Sequence, residues 1–219
     1  KYDADLHVFH LTTEKEMELF TSGEVDNKKI TAEVCVHHMH FNNSYYAELG
    51  NQIKCNPSIK MESDRLALID ALKGNKIDII ATDHAPHTWD EKNQDYPSAP
   101  AGLPLVQHGL QILMDFYHEG ILSLEMIVEK TSHNVAKRFQ IKDRGYIREG
   151  YYADLTVLDL GKPYEVSKEN ILYKVGWSPF TGKTFNSSIF MTVVNGHIAF
   201  QDGKVNDDIP LGMQIEFDR

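Results

Sequence analysis

The segment Ala81–Thr88 reads ATDHAPHT and places an aspartate and two histidines directly after the apolar run IDII, residues 77–80. A short apolar run of this kind is typical of a buried strand, so Asp83, His84 and His87 should lie where that strand ends. Carboxylate oxygens and neutral imidazole nitrogens are ligands for Zn²⁺ and similar ions. The Asp-His-x-x-His spacing lacks the helical i, i+4 face of the protease zinc motif, so a metal-binding role and a structural role both stay open.

His10 occupies a similar position at the end of the segment HVFH, residues 7–10. A lone histidine at a strand end is more often a hydrogen-bonded structural residue than a ligand. In α/β barrels, however, catalytic groups sit where parallel strands end at one rim. If the strands of His10 and Asp83 share that rim, their side chains would form part of a site for Zn²⁺ or a similar ion.

The chain before residue 145 alternates between strand patterns and helix patterns. The strand patterns cover residues 5–11, 29–41 and 77–83. The helix patterns cover residues 14–23 after a cap at Thr12 or Thr13, 63–76 with an apolar side of Leu66, Ile69, Ala71 and Leu72, 105–120 and 123–139. Strands that alternate with helices predict parallel βα units, so residues 1–144 are interpreted as an α/β unit from a TIM-type (β/α)8 barrel.

The pattern changes near Ile141–Gly145. From Gly145 onward the alternation has a period of two residues with few helical signals, which predicts a small β domain over residues 145–219. At the other end, the chain reaches a strand pattern within a few residues of Lys1 and has no initiator methionine. We therefore expect the sequence to be the second part of a longer chain.

Charge and cysteine content exclude several classes of protein. The 219 residues carry 22 Lys+Arg against 32 Asp+Glu, a formal net charge of −10, which would repel nucleic acid and acidic lipid surfaces. Two cysteines, Cys35 and Cys55, are too few for a disulfide framework. These features indicate no nucleic-acid partner, no membrane partner and a reducing, cytoplasmic setting.

Several segments, in order along nearly the whole chain, resemble dihydroorotases of the cyclic amidohydrolase group. ATDHAPHT resembles their eighth-strand signature, and HVFHLTT resembles the sixth-strand segment that ends in a metal-binding histidine. The other matching segments are AEVCVHHMHF, IKCNPSIKMESDRLALIDAL, SAPAGLP, and the β-domain stretches GYIREGYYADLTVLDL and SPFTGKTF. The resemblance implies a metal-dependent hydrolase barrel followed by a small β-sandwich domain.

The resemblance also implies roles for individual residues. His10 corresponds to a ligand of the more exposed metal, and Asp83 to a ligand of the buried metal that also acts as general base. Asn56 and His87 correspond to residues that hold the substrate, and Ala101 and Gly102 to a loop whose backbone faces it. His37 and His38 have no ligand role in the family, so strand-end hydrogen bonding is the favoured interpretation for both, and His84 is expected to orient a neighbour.

The implied reaction is the reversible hydrolysis of dihydroorotate to N-carbamoyl-aspartate in pyrimidine synthesis, with two Zn²⁺ ions per complete site. The family's remaining ligands would precede Lys1, so the expected partner is the N-terminal remainder of the same protein, and a homodimer is a further option. Two alternatives stay open. One is a hydantoinase-like or allantoinase-like enzyme, from which His87 distinguishes this sequence, and the other is a non-catalytic scaffold.

Overall fold

The computed structural model describes residues 3–207 and 212–218. Its first part is built on three parallel strands, β1 (Leu6–Val8), β2 (Ile30–Cys35) and β3 (Ile79–Ala81), in the spatial order β1-β2-β3. Because the strands are parallel, their carboxyl ends lie along one edge of the sheet, and the segments that follow the strands all begin there. The predicted α/β arrangement is confirmed, and His10 and Asp83 follow β1 and β3 at that edge.

Helices and short turns connect the strands. The helices are α1 (Val36–His40), α2 (Tyr46–Leu49), α3 (Glu62–Lys73), α4 (Trp89–Lys92), α5 (Gly109–His118), α6 (Leu124–Val128) and α7 (Asn134–Phe139). The 3-10 turns are Glu14–Leu19, Val25–Asn27, Asn43–Tyr45, Gly50–Ile53 and Lys168–Asn170, and Glu129–His133 forms a π turn. The central strand β2 and the inner faces of α3 and α5 supply much of the buried apolar core.

The predicted β-strand over residues 29–41 is wrong in its second half. The strand β2 ends at Cys35, and Val36–His40 forms the helix α1. The ladder between β2 and β3 stops at the pair Cys35 and Ala81, so the next residues have no neighbouring strand to bond. Instead, the amide of Phe41 donates to the carbonyl of His37 over 2.9 Å and closes a helical turn. The strands predicted over residues 5–11 and 77–83 are likewise shorter, at three residues each.

The helix predictions also need correction. Residues 14–23 form only a six-residue 3-10 turn, which is capped by Thr13 and ends before the extended residue Phe20. Leu66 does not face the core, because it is 48% exposed. The helix predicted from residue 105 begins at Gly109, and the one predicted over residues 123–139 is interrupted by the π turn. Local propensity places helical structure correctly in the ranges 63–76, 105–120 and 123–139 but not its ends, and the α-helix predicted over residues 14–23 does not form.

The second part of the described chain is mostly β structure. Its strands are β4 (Leu155–Asp159), β5 (Tyr164–Glu165), β6 (Thr184–Phe185), β7 (Ser188–Val194), β8 (His197–Gln201) and β9 (Lys204–Val205). They form an antiparallel sheet of order β4-β7-β8-β9 and a separate two-stranded pair of β5 and β6. The segment near Phe217 bridges back to Ile141. The domain boundary near residue 144 stays a prediction. Within the described residues no helix is both long and apolar enough to cross a bilayer.

Candidate active site

His10 and Asp83 meet at the edge of the sheet where β1 and β3 end. The Nε2 atom of His10 lies 3.6 Å from Oδ1 of Asp83, and the two side chains are 24% and 30% exposed. Both residues have a positive φ, 57° for His10 and 47° for Asp83. This backbone region is uncommon for residues other than glycine and is found preferentially at functional sites. The two residues predicted as metal ligands are therefore brought together, each by a sharp change of direction after its strand.

Glu33 on β2 holds His10 from the opposite side. Its Oε1 atom lies 3.0 Å from Nδ1 of His10, and its Oε2 atom lies 3.1 Å from Nε2 of His7. The Nδ1 atom of His7 is in turn 2.8 Å from the hydroxyl of Thr31. Neither Glu33 nor the contact of His7 was predicted from the sequence. A charged residue inside the mostly apolar run ITAEVC is the signal that could have revealed it, because a buried carboxylate requires partners.

This network determines which nitrogen of His10 is available. A carboxylate is only an acceptor, so neutral His10 carries its proton on Nδ1 and donates it to Glu33. The Nε2 lone pair then faces the Asp83 carboxylate, and two acceptors converge without a proton between them. A cation between them would satisfy both, and metal-bound histidines generally donate their second ring N–H to a carboxylate in this way. The residues present therefore fit a Zn²⁺-type ion held by His10 and Asp83.

Replacing Glu33 by glutamine tests the role of this carboxylate. The new side chain would be uncharged, and its amide could turn a donor toward His10, which disfavours the tautomer with a free Nε2 lone pair. We expect Glu33→Gln to weaken metal binding by about 10–100-fold, as for other carboxylates that support metal-bound histidines. Competition with a metallochromic chelator measures the change. Glu165→Gln, at an exposed acid on β5, is the matched control, and equal affinity in both variants would contradict the assignment.

Three loops come together beside Asp83. Gly102 approaches the turn after β3 so closely that a Cβ atom there would lie 2.5 Å from the carbonyl oxygen of Ala85. Its φ of +135° also favours glycine. The amide of Gly102 donates to the carbonyl of Lys54 over 2.8 Å, and the amide of Ala85 donates to the carbonyl of Leu103 over 3.1 Å. Glycine at position 102 thus allows its loop to lie between the Lys54 segment, which leads to Asn56, and the turn that carries Asp83.

Lys92 holds the same loops together through hydrogen bonds to their carbonyl groups. Its side chain is 2% exposed, and its Nζ atom donates to the carbonyl oxygens of Lys54, Pro100 and Gly102 over 3.1, 3.0 and 2.9 Å. Burial lowers the pKa of Lys92 to about 8, so the ammonium persists at neutral pH and each of its three protons has an acceptor. Lys92 was not identified from the sequence, since a lysine in a capped helical turn is ordinarily exposed.

The remaining predicted residues differ in whether their hydrogen-bonding groups are already used within the protein. His87 is half-buried, and its Nε2 atom donates to the carbonyl of Ala101 over 3.1 Å, which leaves Nδ1 as the free nitrogen. Asn56 is exposed at the end of its loop. Gly102, in contrast, already uses its amide on Lys54 and its carbonyl on Lys92. Gly102 therefore shapes the loop, its amide proton is already donated to Lys54, and the substrate-facing role of its backbone stays a prediction.

His84, His37 and His38 differ in how many of their ring nitrogens have a hydrogen-bond partner. The Nδ1 atom of His84 accepts the amides of Leu105 and Val106 over 3.0 and 3.2 Å, which agrees with an orienting role. The strand-end hydrogen bonding expected for His37 is wrong: it lies in α1, and neither ring nitrogen has a hydrogen-bond partner among the described residues. His38 donates from Nε2 to the carbonyl of Pro57 over 2.9 Å, also from within the helix rather than from a strand end.

Known proteins resemble this chain in sequence and in fold. The sequence profile of the amidohydrolase family matches residues 4–199. The chain belongs to the amidohydrolase family. Among curated proteins it is similar to a dihydroorotase of Endomicrobium trichonymphae, with 36% identity over 197 residues, 90% of this chain and 47% of the relative. A dihydroorotase of Methanosphaera stadtmanae is 35% identical over 205 residues, 94% of this chain and 47% of the relative.

Solved structures show the same fold. The L-hydantoinase (dihydropyrimidinase) from Arthrobacter aurescens superposes with a TM-score of 0.84 at 24% identity, over 92% of this chain and 46% of that one. A D-hydantoinase structure superposes with a TM-score of 0.81 at 19% identity, over 93% of this chain and 46% of that one. The resemblance to dihydroorotases noted in the sequence is confirmed. This amidohydrolase chain spans about half the length of the curated relatives it matches.

Proposed function

We propose that this amidohydrolase chain carries part of the active site of a dihydroorotase, which reversibly hydrolyses the cyclic amide of dihydroorotate to N-carbamoyl-aspartate in pyrimidine synthesis. The observation that carries the proposal is the convergence of the Nε2 atom of His10 and the Asp83 carboxylate at 3.6 Å, beside the loops of Asn56, His87 and Ala101. Identity of 35% and 36% to two curated dihydroorotases supports the choice of substrate.

Within this proposal Asp83 moves the proton. Bound Zn²⁺, with two ions expected in the complete site, would supply a Lewis acid for the amide carbonyl and lower the pKa of the attacking water. Asp83 would accept the proton of that water and deliver it to the ring nitrogen that leaves. Its partial exposure allows contact with both, and the sharp backbone turn at Asp83 holds the carboxylate at the rim of the sheet.

The substrate carboxylate would be held by the neighbouring loops. The exposed Asn56 amide can donate to it directly. His87 offers Nδ1, since Nε2 is already bonded to Ala101, and as an imidazolium it could donate from both nitrogens. Because Ala101 and Lys92 fix the loop behind His87, the two donors would be positioned before the substrate arrives, which favours orientation of the scissile amide.

We further propose that β1, β2 and β3 are three strands of a (β/α)8 barrel, completed by an N-terminal segment of the same protein, and that residues 145–219 contribute to a β-sandwich. The strands β1 and β3 are the two outer strands of the sheet. An outer strand with unpaired backbone groups promotes aggregation unless another segment covers it. Leu6, Phe9 and Ile30 are 50%, 61% and 50% exposed near the β1 edge, which supports such a cover.

A substrate panel tests the proposed reaction. The intact protein, loaded with Zn²⁺, would be assayed with dihydroorotate, hydantoin, dihydrouracil and allantoin under the same conditions. We expect kcat/KM to be highest for dihydroorotate, because only this substrate presents a ring carboxylate to Asn56 and His87. A preference for hydantoin, dihydrouracil or allantoin would favour the alternative enzyme class. Absence of turnover with all four, in protein that binds metal, would favour a scaffold.

His87→Asn separates a substrate contact from a metal ligand. We expect kcat/KM for dihydroorotate to fall by about 10–100-fold, the loss of one hydrogen bond to a charged group. The metal content of the purified variant should stay equal to that of the wild type, as measured by mass spectrometry of the metal. His118→Asn, far along the chain at the end of α5, is the control for loss of an imidazole. A His87 variant that has lost metal would show that this residue is a ligand.

A further inference from the structure

A second cluster of ligand-type side chains lies behind His10. Cys35, His37 and His38 each offer one ligand atom, and these atoms lie within 4.8 Å of one another. The residues are 0%, 0% and 4% exposed, so the cluster is buried. Cys35 ends β2, and the two histidines lie in the α1 helix that follows. The unpredicted change from strand to helix at residue 36 is what gathers the three side chains.

The hydrogen bonds of the two imidazoles are incomplete. Neither nitrogen of His37 has a partner within the described part of the chain, and the same holds for Nδ1 of His38. Because Nε2 of His38 donates to the carbonyl of Pro57, its proton is fixed there and Nδ1 carries a lone pair. The two rings lie 4.0 Å apart between centroids. Roughly nine in ten buried polar groups are paired, so this arrangement requires an explanation.

Burial favours the neutral form of both imidazoles. Burial lowers the pKa of His37 well below its usual value, and the neighbouring His38 lowers it further. Burial also lowers the pKa of His38 to about 4. A neutral imidazole with an unused lone pair is the form that binds metal ions. The missing partner must also be small, because His37 has no exposed surface that another segment of protein could contact.

We propose that Cys35, His37 and His38 bind a borderline-soft divalent cation such as Zn²⁺, at a site separate from the pair of His10 and Asp83. Binding would form a sulfur–zinc bond and release the thiol proton of Cys35 to solvent. One thiolate, two neutral imidazoles and a divalent ion carry a net charge of +1. Glu33 balances it nearby, since Nδ1 of His10 lies 3.3 Å from the Cys35 sulfur and 3.0 Å from Glu33.

Two competing arrangements must be distinguished. Cys35 also lies within 4.8 Å of ligand atoms from His10 and Glu33, so a metal could be bound on that side instead. Glu33 and His10 already satisfy one another, however, whereas His37 has no partner among the described residues. Cys55 is the other buried thiol, but it donates to the carbonyl of Pro57 over 3.1 Å. His37 and Cys55 therefore provide the discriminating variant and the matched control.

X-ray absorption at the zinc edge tests the site in the intact wild-type protein and does not rest on the proposed activity. A Zn–S shell at about 2.3 Å, beside Zn–N at about 2.0–2.1 Å, is expected from this ligand set. The His10–Asp83 pair contributes no sulfur. Absence of a sulfur shell in protein saturated with Zn²⁺ would overturn the proposal, and this measurement requires no variant to fold.

Variants then assign the sulfur and the imidazole. With Co²⁺ in place of Zn²⁺, a near-ultraviolet sulfur-to-metal charge-transfer band should appear in the wild type and in Cys55→Ser, and be lost in Cys35→Ser. His37→Gln should lose the band as well, and each of these two should bind one equivalent of metal fewer. Asp83→Asn should keep the band. Persistence in Cys35→Ser would overturn the proposal, and so would persistence in His37→Gln, which would place the ion with His10 and Glu33.

Discussion

Asp83→Asn should abolish turnover of dihydroorotate by the intact protein, with kcat reduced by at least about 10³-fold. An asparagine at position 83 keeps the size of the side chain and one oxygen, but it cannot accept and return a proton at neutral pH. General acid–base catalysis alone contributes about 10²–10⁴-fold, and the weaker metal ligand adds to that loss. The hydrolysis rate at saturating substrate and metal measures the effect.

Two comparisons make the result specific to Asp83. Asp90→Asn, an exposed acid in α4, removes the same charge and should retain wild-type activity. Circular dichroism of both variants should match the wild type, because Asp83 is 30% exposed and its side chain is not part of the core. A kcat near the wild-type value in folded Asp83→Asn would rule out the proton-transfer role.

The sequence predicted those features of the fold that depend on local residue patterns. Alternating apolar runs and helical periodicity were sufficient for parallel strands joined by helices, and the polar residues that follow IDII and HVF pointed to the edge where His10 and Asp83 meet. The end of β2 could not be predicted in this way. Val36 and the histidines after it are compatible with a strand, and only the end of pairing with β3 makes them helical. Tertiary context overrides a weak local preference there.

In the candidate site, too, some residues could be predicted from local sequence and others could not. His10 and Asp83 could be found because their types and positions are unusual, but their supports could not. Glu33 is recognisable only once β2 is known to lie between β1 and β3, since it then faces His7 and His10 from the neighbouring strand. Lys92 follows an ordinary capping sequence in α4, and its role depends on three carbonyl groups contributed by distant loops. Contacts between remote segments are not encoded in any single window of sequence.

The dependence of these loops on Lys92 makes Lys92→Met a severe substitution. Methionine fills a similar volume but has no hydrogen to donate, so the carbonyls of Lys54, Pro100 and Gly102 would lose their common donor in a largely buried place. One unsatisfied buried acceptor costs about 1–3 kcal/mol, and partial relaxation of the loops limits the sum. We expect the free energy of unfolding, from urea denaturation of the intact protein, to fall by about 3 kcal/mol.

The same substitution should also change the kinetics in a characteristic way. Without the Lys92 hydrogen bonds, the loop of Pro100 and Gly102 would move more freely, and His87 would be less well positioned because it bonds to Ala101 in that loop. His10 and Asp83 are held by other contacts. At a temperature where Lys92→Met is folded, KM for dihydroorotate should therefore rise by about 10-fold with a smaller change in kcat. Lys162→Met, at an exposed lysine, is the matched control and should change neither quantity. A loss of kcat with unchanged KM would show that Lys92 supports the metal-binding residues and not the substrate loop.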